Sequence, residues 1–331
     1  MNLRPLGSTE LLVSPIGLGL AALGRPGYIN LEHGADVGDA HDVAALEAHA
    51  HQVLNEAYEA GVRYFDAARS YGRAEQFLSN WLRAHDLGPE DVAVGSKWGY
   101  TYTADWQVDA EVHEVKEHSL QVLHRQWSES QANLGQHLDL YQIHSATVKS
   151  GVLKNEPVLD ELSRLKAEGT AIGLTVSGPR QHEVIELAID VAPGGKRLFD
   201  TVQVTWNLLE RSAGPALARA SEVGMGVIVK EAVANGRLTT KNDDPAFAEQ
   251  MELLTEEARR LQTTVDALAL AAVLAQPWVT IALSGAAKAE HLRSNVKALH
   301  VAWDEQAASQ LQGLTEAPDV YWETRSNLPW N

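Results

Sequence analysis

Val62-Arg63-Tyr64-Phe65-Asp66-Ala67-Ala68-Arg69-Ser70-Tyr71-Gly72 is a short apolar run that closes on a carboxylate, with a tyrosine five residues later. The run has the length and residue types of a buried β-strand. Upstream, Val43, Leu46, Ala50, Val53, Leu54 and Ala57 fall on one helical face, and Gly61 follows as a stop. The unit is therefore helix, strand, turn. The same grammar repeats outward in both directions. Val92-Ala93-Val94-Gly95-Ser96 runs into Lys97, and Leu138-Asp139-Leu140-Tyr141-Gln142-Ile143 runs into His144. Strand starts fall near Pro15, Val62, Val92, Asp139, Ala171, Asp200, Gly226 and Val279, with helical patterns between them. One of these helices opens at Pro157 and ends at Gly169, and the next opens at Pro179. Strands and helices alternate with no break in composition. We expect one (β/α)8 TIM barrel spanning residues 1–331 as a single domain. Three post-strand segments exceed plain connectors: Ala21 to Asp42, Trp98 to Val108 and Ala232 to Phe247. They predict long loops on the C-terminal face, where barrel enzymes hold ligands.

Asp66, Tyr71, Lys97 and His144 each stand at or just after a strand end, so a barrel would bring them together. Each also has an ordinary reading alone: a helix cap, a packed aromatic, a surface lysine, a hydrogen-bonded histidine. Together they make a proton donor. Tyrosine holds its proton to about pH 10. A neighbouring ammonium favours the phenolate and makes the phenol a stronger acid. The buried ammonium needs a counter-charge, which Asp66 offers. His144 can orient a carbonyl. Such a group protonates the alkoxide that forms when hydride adds to a carbonyl.

These four residues, with the opening Leu6-Gly7-Ser8-Thr9-Glu10-Leu11-Leu12-Val13-Ser14-Pro15-Ile16-Gly17-Leu18-Gly19, make the chain resemble an aldo-keto reductase over nearly its whole length. The resemblance implies a (β/α)8 barrel, a nicotinamide cofactor held without a Rossmann domain, and reversible reduction of an aldehyde, ketone or sugar carbonyl. It implies Tyr71 as general acid, Lys97 as its tuner, Asp66 as the partner of Lys97, and His144 as the orienting group. Gln203 matches the glutamine that holds the nicotinamide carboxamide. Gly285 through Lys288 and Asn295 resemble the adenosine-binding segment, with Lys288 near a 2′-phosphate, so NADP is the expected cofactor, with NAD as the alternative. Two positions depart from the pattern. The family's Ser-Asn pair reads Thr175-Val176, and the aromatic that stacks on nicotinamide aligns with Lys230. These departures leave open a nucleotide-binding regulatory protein of little turnover on the same fold.

The bulk numbers narrow the partners. Lys plus Arg is 27 and Asp plus Glu is 44, a net charge of −17. That disfavours nucleic acid and anionic membranes. With no cysteine there is no disulfide, thiolate metal site or cysteine nucleophile. The opening residues lack the apolar core of a signal peptide, so a cytoplasmic location is expected, and no metal is. Two motifs are decoys. His49-Ala50-His51 imitates a metallohydrolase pair but lies in a helical pattern, which turns the rings roughly 200° apart. Gly17-Leu18-Gly19 follows a strand but lacks a third glycine and a following helix, with Pro26-Gly27 next instead.

Overall fold

A computed structural model describes residues 1–26, 42–107 and 110–328. Eight parallel strands close into a barrel: β3 (Ile16–Gly19), β4 (Tyr64–Asp66), β5 (Ala93–Trp98), β8 (Leu140–Ala146), β9 (Ala171–Val176), β10 (Thr201–Thr205), β11 (Gly226–Lys230) and β12 (Ile281–Ser284). Each strand pairs with its sequence neighbours, and β12 pairs with β3 to complete the ring. The eight expected strand starts all match. The strands are largely apolar because helices cover their outer faces and side chains fill the interior. The expected (β/α)8 barrel is the observed fold.

The helices form for the reasons the pattern gave. In α1 (Val43–Glu59), Asp42 caps the first turn through Ala45 N, and Leu46, Ala50, Val53, Leu54 and Ala57 turn inward. The helix expected to open at Pro157 is α4 (Glu156–Ala167), with the proline in its first turn. The next, α5, runs Gln181–Ile189, beginning two residues after Pro179. A short hairpin of β1 (Arg4–Pro5) and β2 (Leu12–Val13) precedes the barrel. Its Leu6 and Val13 join Tyr64, Ala93, Leu140, Ile228 and Ile281 in one apolar cluster, so the hairpin plugs the N-terminal end. Gly17 belongs to this packing. A Cβ there would lie 2.8 Å from the Tyr64 ring, so the glycine serves the barrel interior and not a phosphate loop.

One expectation needs correction. The segment after β5 is not a plain loop: β6 (Tyr100–Tyr102) and β7 (Glu114–Lys116) form an antiparallel ribbon. Most of the long segment between Ala21 and Asp42 lies outside the described residues, as do Val108 and the Gly27 of the second decoy. Among the described residues no helix is long and apolar enough to cross a membrane.

Candidate active site

Alternation along each strand builds the site. Tyr64, Ala93, Leu140 and Ile228 face the barrel interior. Counting on by two from each gives Asp66, Gly95 then Lys97, Gln142 then His144, and Lys230. The interior is therefore apolar at its N-terminal end and polar at its C-terminal end. Asp66 lies at the centre of the polar layer. One carboxylate oxygen pairs with Lys97 Nζ, which also donates to the Ala67 carbonyl at 2.8 Å. The other oxygen accepts from Tyr64 Oη at 3.2 Å, Gln142 Nε2 at 3.2 Å and Gln203 Nε2 at 3.0 Å. Burial, with the Asp66 charge adding to it, holds the Tyr64 phenol well above its ordinary pKa, so Tyr64 remains a donor. Burial pulls Lys97 below the usual lysine value while Asp66 pushes back.

Lys97 Nζ stands 4.8 Å from the Tyr71 ring centroid. The Tyr71 ring meets the His144 ring edge-on at 5.6 Å. The turn carrying Tyr71 is tied to β5, with Ala67 N donating to Gly95 O at 2.8 Å and Arg69 N to Lys97 O at 3.0 Å. His144 sits in a bulge of β8 opposite β9, and the next residue, Ser145, takes φ 54°. His144 Nδ1 is 3.5 Å from Ser70 Oγ, and the Tyr100 ring lies 4.9 Å from the imidazole. Burial first, then the charges of Lys97 and Lys230, keep His144 far below the usual histidine pKa, so the ring is neutral at pH 7. His118 is lowered to about 4 by burial. Its Nε2 lies 2.9 Å from the His144 carbonyl, which only accepts, so that nitrogen carries the proton.

A cavity of about 740 Å³ opens over this layer, with Asp66, Tyr71, Gln203 and Lys230 at one end. Lys97, paired with Asp66, and His144, edge-on to Tyr71, adjoin these residues. Away from Tyr71 the cavity runs between residues 232–241, the connection from α7 (Ala248–Arg260) to α8 (Val265–Leu274), and Ser284 to Ala287 with His291, Ser294 and Asn295 of α9 (Ala289–Val296). Thr239, Thr240, Thr263 and Thr264 line that part together with Lys241 and Arg259.

Residues 15–316 match the model of the Aldo/keto reductase family. The chain belongs to the aldo/keto reductase family. It is 26% identical to the uncharacterized oxidoreductase YqkF of Bacillus subtilis, over 98% of this chain and 100% of that protein. It is 25% identical to an NADH-specific methylglyoxal reductase of Escherichia coli, over 96% of this chain and 99% of that one. Aldo-keto reductase AKR11C1 from Bacillus halodurans, solved in its holo form, superposes with a TM-score of 0.73 at 22% identity, covering 96% and 97% of the two chains. The putative aldo-keto reductase PA4992 of Pseudomonas aeruginosa gives a TM-score of 0.64 at 26% identity, over 93% of this chain and 95% of that one. The family is one of oxidoreductases that use nicotinamide cofactors and act on small carbonyl compounds.

Within this aldo/keto reductase, the structure brings Asp66, Tyr71, Lys97 and His144 together and adds Gln203 to the same hydrogen-bonded layer. Gly285 and Asn295 line the far part of the cavity. Thr175 and Lys288 do not line it. The Thr175 hydroxyl accepts from Ser145 N at 2.7 Å and so supports the backbone beside His144. Lys288 is the residue that opens α9. Arg293, one turn further, pairs with Glu56 at 2.7 Å on the outer surface. Trp98 is buried against His118, and Tyr102 accepts from Trp106 N at 3.0 Å, so neither reaches the cavity. His49 Nε2 donates to the Ala287 carbonyl and His51 Nε2 to the Phe77 carbonyl, two separate structural roles.

Sequence reasoning missed two groups. Glu75, buried at the start of α2 (Ala74–Ala84), accepts from Ser96 Oγ and Ser130 Oγ at 2.6 Å each, Arg69 at 2.7 Å and Asn133 at 2.9 Å. It fastens the Tyr71 turn to β5 and to α3 (Leu120–Leu134). The second group is Glu231 with Arg325 of α11 (Pro318–Asn327), paired through contacts of 2.5 to 3.1 Å at the rim of the cavity.

Proposed function

We propose that the chain is an NAD(P)H-dependent carbonyl reductase in which Tyr71 is the general acid. The observation that carries this reading is the Lys97 ammonium, buried beside Tyr71 and paired with Asp66, at the wall of the large cavity. In the reduction direction the substrate carbonyl oxygen meets the Tyr71 hydroxyl and the neutral His144 imidazole. Hydrogen bonding there orients the carbonyl and polarises it. Lys97 favours the developing phenolate, so proton transfer from Tyr71 to the alkoxide becomes easier. Asp66 holds Lys97 in place, and its remaining lone pairs are taken by Tyr64, Gln142 and Gln203.

The residues present fit a nicotinamide dinucleotide. The cavity joins the tyrosine end to a segment rich in threonine hydroxyls and carrying two basic side chains, as phosphates require. Gln203 and Lys230 would face the nicotinamide end, and Gly285 and Asn295 the adenosine end. A bound reduced nicotinamide would supply the hydride. Thr175 acts from behind, through Ser145. We read NADPH as the preferred form, with Lys288 near the 2′-phosphate and NADH as the alternative. Substrates would be aldehydes, ketones or sugars in their open or hemiacetal form.

The test is NADPH consumption with an activated aromatic aldehyde, for the wild type and Tyr71→Phe. The expected result is turnover in the wild type, its loss by orders of magnitude in the variant, and cofactor affinity unchanged within about threefold, because only the hydroxyl is removed. Near-normal turnover by Tyr71→Phe would remove Tyr71 from the acid role. Tight nucleotide binding with no turnover by the wild type would favour a sensor.

A further inference from the structure

We propose that Lys230 makes the cavity discriminate between the two oxidation states of its nicotinamide, holding the neutral reduced ring in preference to the cationic oxidised ring. The inference rests on the reading just given. Hydride transfer requires the nicotinamide ring to lie within reach of a carbonyl whose oxygen meets Tyr71. That places the ring in the end of the cavity lined by Asp66, Tyr71, Gln203 and Lys230.

The charge at this end follows from its pairings. Lys230, the last residue of β11, donates to Thr205 Oγ1 of β10 at 2.7 Å and lies 3.5 Å from Glu231 Oε1. Its Nζ is 5.9 Å from the Trp322 ring of α11. Glu231 is matched by Arg325 of the same helix. From β5 the facing cation is Lys97, matched by Asp66 of β4. From β8 it is His144, held neutral. Glu231 is held ionised, its pKa lowered to about 2 by Lys230 and Arg325 against its burial. Among the described residues at this end, the carboxylates of Asp66 and Glu231 face the cations Lys97, Lys230 and Arg325, one positive charge in excess. The oxidised nicotinamide ring carries a positive charge and the reduced ring none. The two nucleotides are otherwise alike in their phosphates, so their affinity ratio isolates this repulsion.

The charge can be removed within an ordinary assay range. Burial above all, with Arg325 and Lys97 adding to it and Glu231 opposing, brings Lys230 down to about 8. Lys230 is charged below that pH and loses its proton above it. Discrimination against the oxidised nucleotide should therefore be full at low pH and decline as pH rises through about 8. In function, the oxidised nucleotide is held more weakly than the reduced one and leaves the cavity more readily after each reduction.

The experiment is calorimetric titration of NADPH and NADP⁺, between about pH 6.5 and 9.5, into the wild type, Lys230→Met and Lys230→Arg. In the wild type the affinity ratio should favour NADPH by about tenfold more at the low end than at the high end, the effect of one screened charge at several ångströms. Lys230→Met should show the small ratio at every pH. Lys230→Arg keeps the charge without titrating and should show the large ratio throughout. A wild-type ratio that does not move with pH, or Lys230→Met retaining the wild-type ratio, overturns the inference while leaving the nicotinamide reading intact. Failure of the wild type to bind either nucleotide overturns that reading and this inference with it.

Discussion

Replacing Lys97 with methionine removes one charge from a defined place and keeps most of the volume. The ammonium lies 4.8 Å from the Tyr71 ring centroid, inside a buried layer. At about 5 Å and an effective dielectric constant of about 20, its attraction for a phenolate is about 3 kcal/mol, or about two pKa units. In the reduction direction Tyr71 must carry its proton, so activity is lost as pH rises through the tyrosine pKa. Removing the cation raises that pKa, and the alkaline limb of the kcat profile should move up by about two units. The plateau below it should fall by about a hundredfold, since a weaker and less well-positioned acid remains. Asp66 keeps its bonds from Tyr64, Gln142 and Gln203, so the barrel should still close, with stability reduced by about 3 kcal/mol for an unmatched buried carboxylate. The assay is kcat against pH with an aromatic aldehyde, with circular dichroism as the check on folding. Lys97→Arg keeps the charge but not the fit between Asp66 and the Ala67 carbonyl, so it should lower the plateau and leave the limb in place. A folded Lys97→Met protein with the wild-type limb would refute the tuning role.

Glu75→Ala should lower the unfolding free energy by about 3 to 5 kcal/mol, since a buried carboxylate with four donors leaves Ser96, Ser130 and half-buried Arg69 behind. Urea denaturation measures it, and a midpoint equal to the wild type would mean that the Tyr71 turn is held by other contacts. For the nucleotide, fluorescence titration should show NADPH binding more tightly than NADH, with the gap narrowing by about fivefold in Lys288→Ala, the upper range for an exposed charge pair. Arg293→Ala should leave the gap unchanged, because that guanidinium faces Glu56. Wild-type binding of NADH as tightly as NADPH would reassign Lys288 as a surface residue.

The barrel was legible because its strands are short, largely apolar runs and its helices are amphipathic, two patterns that a linear sequence displays directly. The convergence of Asp66, Lys97 and His144 was legible for a related reason: each is an ionisable residue at or just after the end of a mostly apolar run. The β6–β7 ribbon was not, since Tyr100–Tyr102 and Glu114–Lys116 are three residues each and mostly polar or exposed. Glu75 reads as an ordinary first-turn acid. Only the fold places Ser96 of a strand and Ser130 of another helix against it. The role of Thr175 was hidden for a related reason. A hydroxyl at a strand end signals a ligand contact and a backbone contact equally well, and here the Ser145 amide takes it.

Backbone conformation marks the two places where the sequence was most silent. Ser145 and Glu231 take φ 54° and 56°, the left-handed region that disfavours side chains with a Cβ. Each immediately follows a residue that faces the site, His144 in one strand and Lys230 in another. Glycine would relieve the strain at either position, and neither residue type announces such a turn. The turn at Glu231 has a visible result: its carboxylate returns to meet Thr205, Lys230 and Arg325 in place of continuing along the strand. The turn at Ser145 sets its amide on Thr175 and its carbonyl on Lys116. Strain of this kind persists only where surrounding contacts over-determine it, and it clusters where side chains must be aimed. Both strained residues border the cavity layer that holds Tyr71. Backbone strain therefore marks this layer independently of the identity of its four polar residues.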